Sequence, residues 1–514
     1  MNPSSRLSPP PGVGALAGVL AAAVSLGVGE LVAGFFRPAA APLIAVGNRV
    51  IVLTPEPVKR WAIRQFGTGD KQALLTGCVL ILAGAAAGLG VLAVRSAWAG
   101  LVGVAGLGGF GCYCALTAPA ARTSDAVPAL LGTAAGLGTL YWLLTLAARW
   151  TSDPGADSQA RRQFLLAGLG TAVAAGAGTL LGRAVSHGRF NAAPARARIT
   201  LPPAAGPDAG TVGFDLGKSG VPFQTPNRDF YRIDTALSVP QVDPQTWHLR
   251  IHGLVQREIR LSYADLLARP MIERWVTLTC VSNEIGGNLI STALFRGVLL
   301  ADLLREAGIA TAADQLLATS SDGMTIGSPT AVLLDGRAAM LAVGMNGEPL
   351  PLQHGFPVRM VVPGLYGYVS ACKWLVDLEA TTYERRQAYW VQGGWAAQGP
   401  VRLASRIDRP VQGNRVTVGA PVTVAGVAWD QHVGVSRVEV QFDGEPWQPA
   451  TLARVPSIDT WRQWALPWTP TSAGRHRIRV RAYDHDGKPQ DEQVRDPFPS
   501  GATGLHTIEV TATG

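Results

Sequence analysis

Residues 275–284 read Trp-Val-Thr-Leu-Thr-Cys-Val-Ser-Asn-Glu, and here an apolar, strand-like run delivers one sulfur, that of Cys280, into a short polar loop. The loop continues through Gly286 and Gly287. A thiolate in such a setting can ligate a soft metal. A lone cysteine is more often a buried structural thiol; the polar, glycine-containing loop argues for a ligand. The chain has five cysteines. Cys78, Cys112 and Cys114 lie in apolar, membrane-like sequence, which leaves Cys280 and Cys372 elsewhere. That is no disulfide framework, and no Cys-x-x-Cys pair points to zinc or iron–sulfur ligation.

The elements that must position Cys280 follow from composition. Hydrophobic residues make up 47 % of the 514, with 16 % charged and 60 glycines. That balance points to membrane spans and two or three domains. Residues 1–186 hold 13 Lys and Arg against 6 Asp and Glu; the remaining 31 and 30 nearly cancel. The basic character is therefore not a property of the rest of the chain, and nucleic acid is not an expected partner. Windows 12–36, 73–94, 97–117, 127–148 and 164–182 are each close to the 20 or so apolar residues a bilayer requires. Segment 39–53 is shorter, carries Asn48 and Arg49, and reads as interfacial or re-entrant. Residues 1–186 contain no histidine and only Met1 as methionine, so this bundle is not expected to hold a b-type haem.

Two basic loops compete for the cytoplasmic side, 54–71 (Lys59, Arg60, Arg64, Lys71) and the one with Arg149, Arg161 and Arg162. Three spans separate them, so both cannot be inside. The second is preferred. Ala160-Arg161-Arg162-Gln163-Phe164-Leu165-Leu166 has the layout of a twin-arginine export signal, or of a charged flank on an ordinary span. Either sends everything after Gly182 outward. Residues 187–220, rich in Ala, Pro, Gly and Arg, read as a linker.

Residues 221–398 mix strand and helix patterns without regular alternation, which predicts an α+β domain. Segment 247–251 alternates like a strand, 262–268 opens as a helix with Ser262 as N-cap and Asp265 at N3, 298–307 is an amphipathic helix, and 357–362 and 373–378 read as buried strands. Residues 399–514 are all-β in pattern, with Asp443-Gly444, Ala473-Gly474 and Asp486-Gly487 turns, and suit an immunoglobulin-like sandwich. His432, His476 and His485 are expected at its surface or in its turns.

These residues carry a resemblance. Phe230-Tyr231-Arg232 with Pro240-Gln241-Val242-Asp243-Pro244 is similar to the opening of sulfite-oxidase-family molybdenum domains, and Thr279-Cys280-Val281-Ser282-Asn283-Glu284 resembles their cysteine loop. The run from Met345 to Arg359, then Pro363-Gly364-Leu365-Tyr366-Gly367 and Ser370-Ala371-Cys372-Lys373-Trp374, is similar to their pterin-binding signature. Asp443-Gly444-Glu445-Pro446-Trp447, Trp461-Arg462-Gln463-Trp464 and the run from Arg481 to Gly487 resemble the family's dimerisation domain. The resemblance covers residues from about 220 onward, and its strength lies in the ordered set.

It implies an α-helical transmembrane bundle followed by an α+β sulfite-oxidase-type molybdopterin domain and an immunoglobulin-like β-sandwich acting as a two-fold interface. The implied cofactor is molybdenum–molybdopterin (Moco), with Cys280 as the metal's protein ligand. The phosphate and pterin call for cationic and hydrogen-bonding groups. By the resemblance these are Phe230, Tyr231, Arg232, Ser321, Asp322, His354, Arg359, Ser370, Cys372 and Lys373. Cys372 lies within this stretch but in its own right reads as a structural thiol. Two departures matter. Sulfite-oxidising members place a tyrosine beside the metal where this chain aligns Trp395, with Tyr389 near. They also carry Ala-Arg-Trp-x-Gly where it reads Ala293-Leu294-Phe295-Arg296-Gly297.

The leading expectation is a membrane-anchored, outward-facing molybdoenzyme that transfers one oxygen atom on a small oxyanion or sulfur or nitrogen oxide. Cys280, Arg232, Arg296 and Trp395 are its catalytic candidates. No Cys-x-x-Cys-His occurs, so electrons are expected to use a separate redox partner. The alternatives are a sulfoxide or N-oxide reductase of the same family and, from another class, a cofactor-free membrane scaffold or receptor.

Overall fold

The computed structural model describes residues 9–66, 69–152, 157–204 and 219–514. They form two compact units, one built on the chain up to Asn191 together with Thr235–Gln241, the other on Ala192–Asp234 and Val242–Gly514.

The first unit is helical: α1 (Pro11–Phe36), α2 (Pro42–Leu53), α3 (Glu56–Phe66), α4 (Asp70–Arg95), α5 (Ala97–Leu116), α6 (Val127–Ser152) and α7 (Asp157–Phe190). Among the described residues, α1 and α4 to α7 supply five segments long and apolar enough to cross a membrane, matching the five windows, and α2 is the shorter apolar helix. α1 packs against α4, α6 and α7. Its small residues let backbones meet: a β-carbon on Gly18 would overlap the Ala86 carbonyl, and one on Gly27 would sit 2.5 Å from the Ala175 carbonyl oxygen. Lipid gives helices no hydrophobic drive to associate, so such close van der Waals packing carries the bundle. Beyond α1, Arg37 pairs with buried Asp125 at 3.1 Å. The basic stretch 54–71, read as a loop, is largely the helix α3; residues 67 and 68 lie outside the described residues. Arg161 and Arg162 lie within α7.

The expected linker 187–220 is shorter than its composition suggested. α7 runs to Phe190, and Ala193–Ala197 form a short helix, α8, in the second unit. Arg196 fixes α8 there, donating to the Pro349 and Leu350 carbonyls at 2.6 and 2.8 Å and pairing with Glu348 at 2.8 Å. Residues 205–218 lie outside the described residues.

The second unit opens with one mixed and one antiparallel sheet. One has the order β2-β1-β10-β5-β6, from β1 (His248–Gly253), β2 (Ile259–Ser262), β5 (Gln315–Ser320), β6 (Thr325–Pro329) and β10 (Leu375–Thr381), with β1 and β10 parallel. The other runs β3 (Ile272–Thr279), β4 (Ile290–Leu299), β7 (Met340–Met345), β8 (Glu348–Pro349), with β9 (Arg359–Val361) also on β7. After β2, helix α9 (Tyr263–Leu267) starts as expected: Ser262 Oγ accepts from Asp265 N at 3.2 Å and Asp265 Oδ2 from Ser262 N at 2.9 Å. This capping box is worth about 1 kcal/mol. Helix α10 (Leu300–Ala307) buries Leu300, Leu303, Leu304 and Ala307 and ends on Gly308 at φ +66°. β4 runs through Val298 and Leu299, where a helix start was expected.

The immunoglobulin-like sandwich follows, made of β11 (Ala404–Arg409), β12 (Arg415–Thr417), β13 (Val422–Trp429), β14 (Val435–Phe442), β15 (Gln448–Pro449), β16 (Thr451–Leu452), β17 (Arg462–Trp468), β18 (Gly474–Asp484) and β19 (Thr507–Thr513). Its sheets are ordered β11-β13-β17-β16 and β12-β19-β18-β14-β15. Val438, Val440, Trp464, Ile478 and Val480 fill the space between them.

His476, expected at the surface or in a turn, is instead buried in β18. Its Nδ1 lies 2.6 Å from Asp443 Oδ2 and its Nε2 2.9 Å from the Ser472 carbonyl oxygen. Both partners accept, so both nitrogens donate and the ring is held as imidazolium. The Asp443 hydrogen bond is the main cause of its raised pKa. Such a group stabilises fully below the unfolded value, about 6.5, and the contribution is lost as pH rises through the folded value. The thermal unfolding midpoint should therefore decline across that window, and His476→Gln should flatten the decline.

Candidate active site

Strand β3 ends at Thr279 and hands the chain to Cys280, whose backbone closes a tight loop. Cys280 N donates to the Leu289 carbonyl (2.9 Å), Asn283 N to the Cys280 carbonyl (3.0 Å), and Leu289 N to Asn283 Oδ1 (2.8 Å). Cys280 is buried. Burial pushes its thiol pKa up, while the Ser282 N–H and hydroxyl and the Lys373 charge pull the other way. The sandwich holds the strand and loop from outside. Thr277 N donates to the Asp459 carbonyl (3.0 Å) and Thr277 Oγ1 accepts from Trp461 N (2.7 Å). Gln431 Nε2 donates to Thr279 Oγ1 (2.8 Å), and Arg406, paired with Asp408 at 2.6 Å, donates to the Gly287 carbonyl (2.8 Å).

On another side of Cys280 lies a cationic, aromatic pocket. Tyr231, stacked on Phe230 with centroids 5.5 Å apart, feels the Cys280 charge; burial raises its pKa, so it stays a phenol. His354 is buried and its Nε2–H donates to the Asn227 carbonyl at 2.8 Å. Burial, then the charge of Arg359, takes its pKa down to about 4, so Nδ1 is a lone-pair acceptor. Asn227 is itself fixed by Asn346 Nδ2 at 2.8 Å. Asn346, at φ +53°, and Gly347, at φ +82°, make the tight turn between β7 and β8.

Arg359, 4 % exposed, donates to the His354 carbonyl at 3.3 Å and lies 5.6 Å from the Phe295 ring centroid. Its Nε has no partner, and no ion pair joins it to a carboxylate among the described residues. Burial lowers its pKa to about 10. Lys373 Nζ donates to the Ile233 carbonyl and Asp234 Oδ2, both at 3.0 Å. Burial takes it down to about 8 although Asp234 pulls back up. Arg232 Nε holds the same Asp234 oxygen at 2.9 Å. Arg232 and Lys373 share the one carboxylate, Asp234, and Arg359 pairs with none among the described residues, leaving an excess positive charge that calls for an anionic ligand.

The remaining candidates divide. Ser321 N donates to the Trp374 carbonyl at 2.9 Å, and Asp322 acts electrostatically on Cys372, so both lie on the Lys373 side. Ser370 turns its hydroxyl back to the Leu365 and Tyr366 carbonyls (both 3.0 Å), and Cys372 is a buried thiol near the Lys373 carbonyl (3.8 Å). Of the last two candidates, Arg296 is corrected. Arg296 sits opposite Glu273 across β3 and β4, pairs with it at 2.8 Å and donates to the Pro202 carbonyl at 3.0 Å. Cys280 follows the Thr279–Ile290 pair, and at about 3.3 Å per residue Arg296 lies roughly 20 Å away along the strand. It has neither the reach nor a free charge. Trp395 packs among Tyr368 (6.0 Å), Trp390 (6.4 Å) and Phe498 (5.3 Å), its indole N–H buried without a partner. Tyr389 packs on Trp390, and Tyr366 is the tyrosine that interacts with Cys280 besides Tyr231. Asn227, Asn346 and Asp234 were missed, although Asn346-Gly347 is a hairpin signature and Asp234 follows Arg232 by two residues.

The donor set fits molybdopterin: one thiol, a buried guanidinium without a carboxylate, a lysine and a neutral histidine. Among the described residues no group of three His, Cys, Asp or Glu could hold a bare ion.

Comparison with known proteins bears on this pocket. The family described as "Oxidoreductase molybdopterin binding domain" matches residues 236–390, and "Bacterial Ig domain" matches 404–480. Sulfite oxidase of Gallus gallus is 31% identical over 324 residues, covering 53% of this chain and 69% of that protein. Mitochondrial sulfite oxidase of Homo sapiens is 32% identical over 303 residues, covering 50% of this chain, and the chain spans only 55% of that relative's length. The structure of sulfane dehydrogenase SoxCD from Paracoccus pantotrophus is similar with a TM-score of 0.50 at 23% identity, covering 56% of this chain and 82% of that one, a likeness of fold.

Proposed function

This chain belongs to the sulfite-oxidase family of molybdopterin-dependent oxidoreductases, and from that premise we propose that it moves one oxygen atom to or from a small substrate at a membrane-anchored site. The enzyme class and the cofactor, molybdenum–molybdopterin, follow from the family. When bound, that group supplies a two-electron centre able to exchange oxygen with a substrate.

The chain's own residues have the following parts. Cys280 offers the thiolate ligand. Arg359, Lys373 and Arg232 hold the anionic phosphate and pterin, His354 offers its Nδ1 lone pair, and Tyr231 and Tyr366 keep their protons as donors near Cys280. The single observation that carries this reading is Arg359, a buried guanidinium without a carboxylate partner beside Cys280's pocket. Asn227 and Asn346 orient His354, and the sandwich keeps the Cys280 loop in place.

The five apolar helices support membrane anchoring. An outward-facing catalytic part rests on the Arg161-Arg162 motif, a two-fold interface on the sandwich, and a separate electron carrier on the lack of a haem motif; each is part of the proposal. The reductase reading of sulfoxides or N-oxides gains support from Arg296, an expected anion-attracting residue that is held by Glu273.

Protein made in a cofactor-producing host should contain about one molybdenum per chain; a content far below that would sink the enzyme reading. Retention of molybdenum should weaken as pH rises past about 8, where Lys373 sheds its proton and a charge facing the anion disappears. Asp234→Asn should move this break to lower pH, because the Asp234 charge raises the Lys373 pKa. Dialysis at graded pH followed by metal analysis measures both.

A further inference from the structure

We infer that Lys71 and Gly47 of the helical unit are positioning groups for the cofactor pocket. They hold the segment Thr235–Gln241, and through it the Asp234 carboxylate that Arg232 and Lys373 share. The inference rests on the reading of that pocket as the cofactor's.

The chain changes units at a single peptide bond. Asp234 belongs to the second unit, and Thr235–Gln241 pack with the helices of the first. Before that bond the contacts are those of the pocket. Asp234 Oδ2 takes Arg232 Nε at 2.9 Å and Lys373 Nζ at 3.0 Å, and Lys373 also donates to the Ile233 carbonyl at 3.0 Å. After it they are those of the helical unit. Lys71 Nζ, in the first turn of α4, donates to the Ala236 carbonyl at 2.6 Å across 165 positions of sequence. Ala236 is buried. Leu237 lies over Gly47 of α2, where an added β-carbon would sit 2.7 Å from Leu237 Cδ1 and 3.3 Å from Leu75 Cδ2.

Segment 235–241 contains no helix or strand, so no backbone ladder fixes it. Its contacts with the helices must offset the conformational freedom it gives up. Each helix carries a locally unfavourable residue where the segment is seated. A lysine in the first turn of α4 meets the positive end of that helix's dipole, and a glycine inside α2 costs stability relative to alanine. Both make sense as parts of a seat: the ammonium reaches a carbonyl, and the missing side chain leaves room for Leu237. The consequence for the pocket is electrostatic. Where the Asp234 carboxylate stands decides how much of the Arg232 and Lys373 charge is left for an anionic ligand. Because the link runs through continuous chain it is reciprocal: a ligand that orders Asp234 also restrains the segment, and loosening the segment weakens the ligand's hold.

The test uses the full chain in detergent. Trypsin cleavage of the Arg232–Ile233 bond reads opening at the pocket, and chymotrypsin cleavage of the Leu237–Ser238 bond reads opening of the segment, each bond followed by mass spectrometry. Lys71→Met should speed both cleavages by about threefold to tenfold, the equivalent of one net hydrogen bond, and shorten molybdenum retention on dialysis by a similar factor. Lys71→Arg keeps a charged donor and should return both readouts to within about twofold of wild type. Gly47→Leu leaves Lys71 in place, displaces Leu237 and should reproduce the Lys71→Met pattern. Loading with molybdopterin should slow cleavage after Leu237 as well as after Arg232. Faster cleavage confined to Leu237, with the Arg232 bond and molybdenum retention as in wild type, would make the contact a mere attachment and overturn the inference. Unchanged cleavage after Leu237 in both variants overturns it too. A chain that takes up no molybdenum in a competent host indicts the cofactor reading instead, and the two cleavage rates in metal-free protein still decide whether Lys71 positions Asp234.

Discussion

Replacing Cys280 with serine removes turnover, by at least on the order of 100-fold, while the protein still folds. Two features separate these effects. The hydrogen bonds of Cys280 N, Asn283 N and Leu289 N that close the loop use backbone groups and Asn283, and the Ser282 N–H and hydroxyl that face the sulfur can face a serine hydroxyl as well. The anchors from the sandwich land on Thr277, Thr279 and Gly287, which the substitution leaves untouched. Serine is close in size, so the unfolding midpoint should move by the equivalent of about 1 kcal/mol or less. What changes is the donor: a hydroxyl is harder, less polarisable and far less acidic than a thiol, and it cannot substitute for a soft sulfur ligand. Steady-state assay with circular dichroism melting checks both halves. Normal turnover in the variant would remove Cys280 from the chemistry.

Arg359→Met has the opposite signature, a gain in the empty protein and a loss of cofactor. In apo protein Arg359 is a buried charge without a carboxylate partner, supported by one carbonyl at 3.3 Å and the Phe295 ring. Methionine fills similar space without that burden, so the apo form should be stabilised by about 1–3 kcal/mol. The same change removes the charge that the anionic cofactor is expected to meet, and molybdenum content should fall below about a tenth of wild type. Melting curves from a cofactor-deficient host and metal analysis from a competent one give the two numbers. If apo Arg359→Met melts lower and the variant keeps its metal, Arg359 is structural.

Much of this architecture was legible because its cues are local. Ser262 and Asp265 announce a capping box within four residues, the leucines of α10 repeat at helical spacing, and the five apolar windows need only length and composition. The Cys280 loop was legible for the same reason. Arg296 was misread because its role depends on register: only the pairing of β3 with β4 reveals that Glu273 faces it while Phe295 turns into the core. The aromatic cluster that Trp395 forms with Tyr368, Trp390 and Phe498 joins separate segments and could not be counted from a strand. His476 looked like a turn residue because its partner Asp443 lies on the adjacent strand connection. The grip of the sandwich on Thr277 and Thr279 joins residues more than 150 positions apart, and no window of sequence carries it.

The account turns on a bond between the Cys280 sulfur and molybdenum, and X-ray absorption at the molybdenum edge measures it directly. Wild-type holoenzyme and Cys280→Ser, each loaded in a cofactor-producing host, should differ by one sulfur scatterer in the first coordination shell, with a lighter oxygen scatterer or none in its place. An unchanged sulfur count in the serine variant would contradict the account.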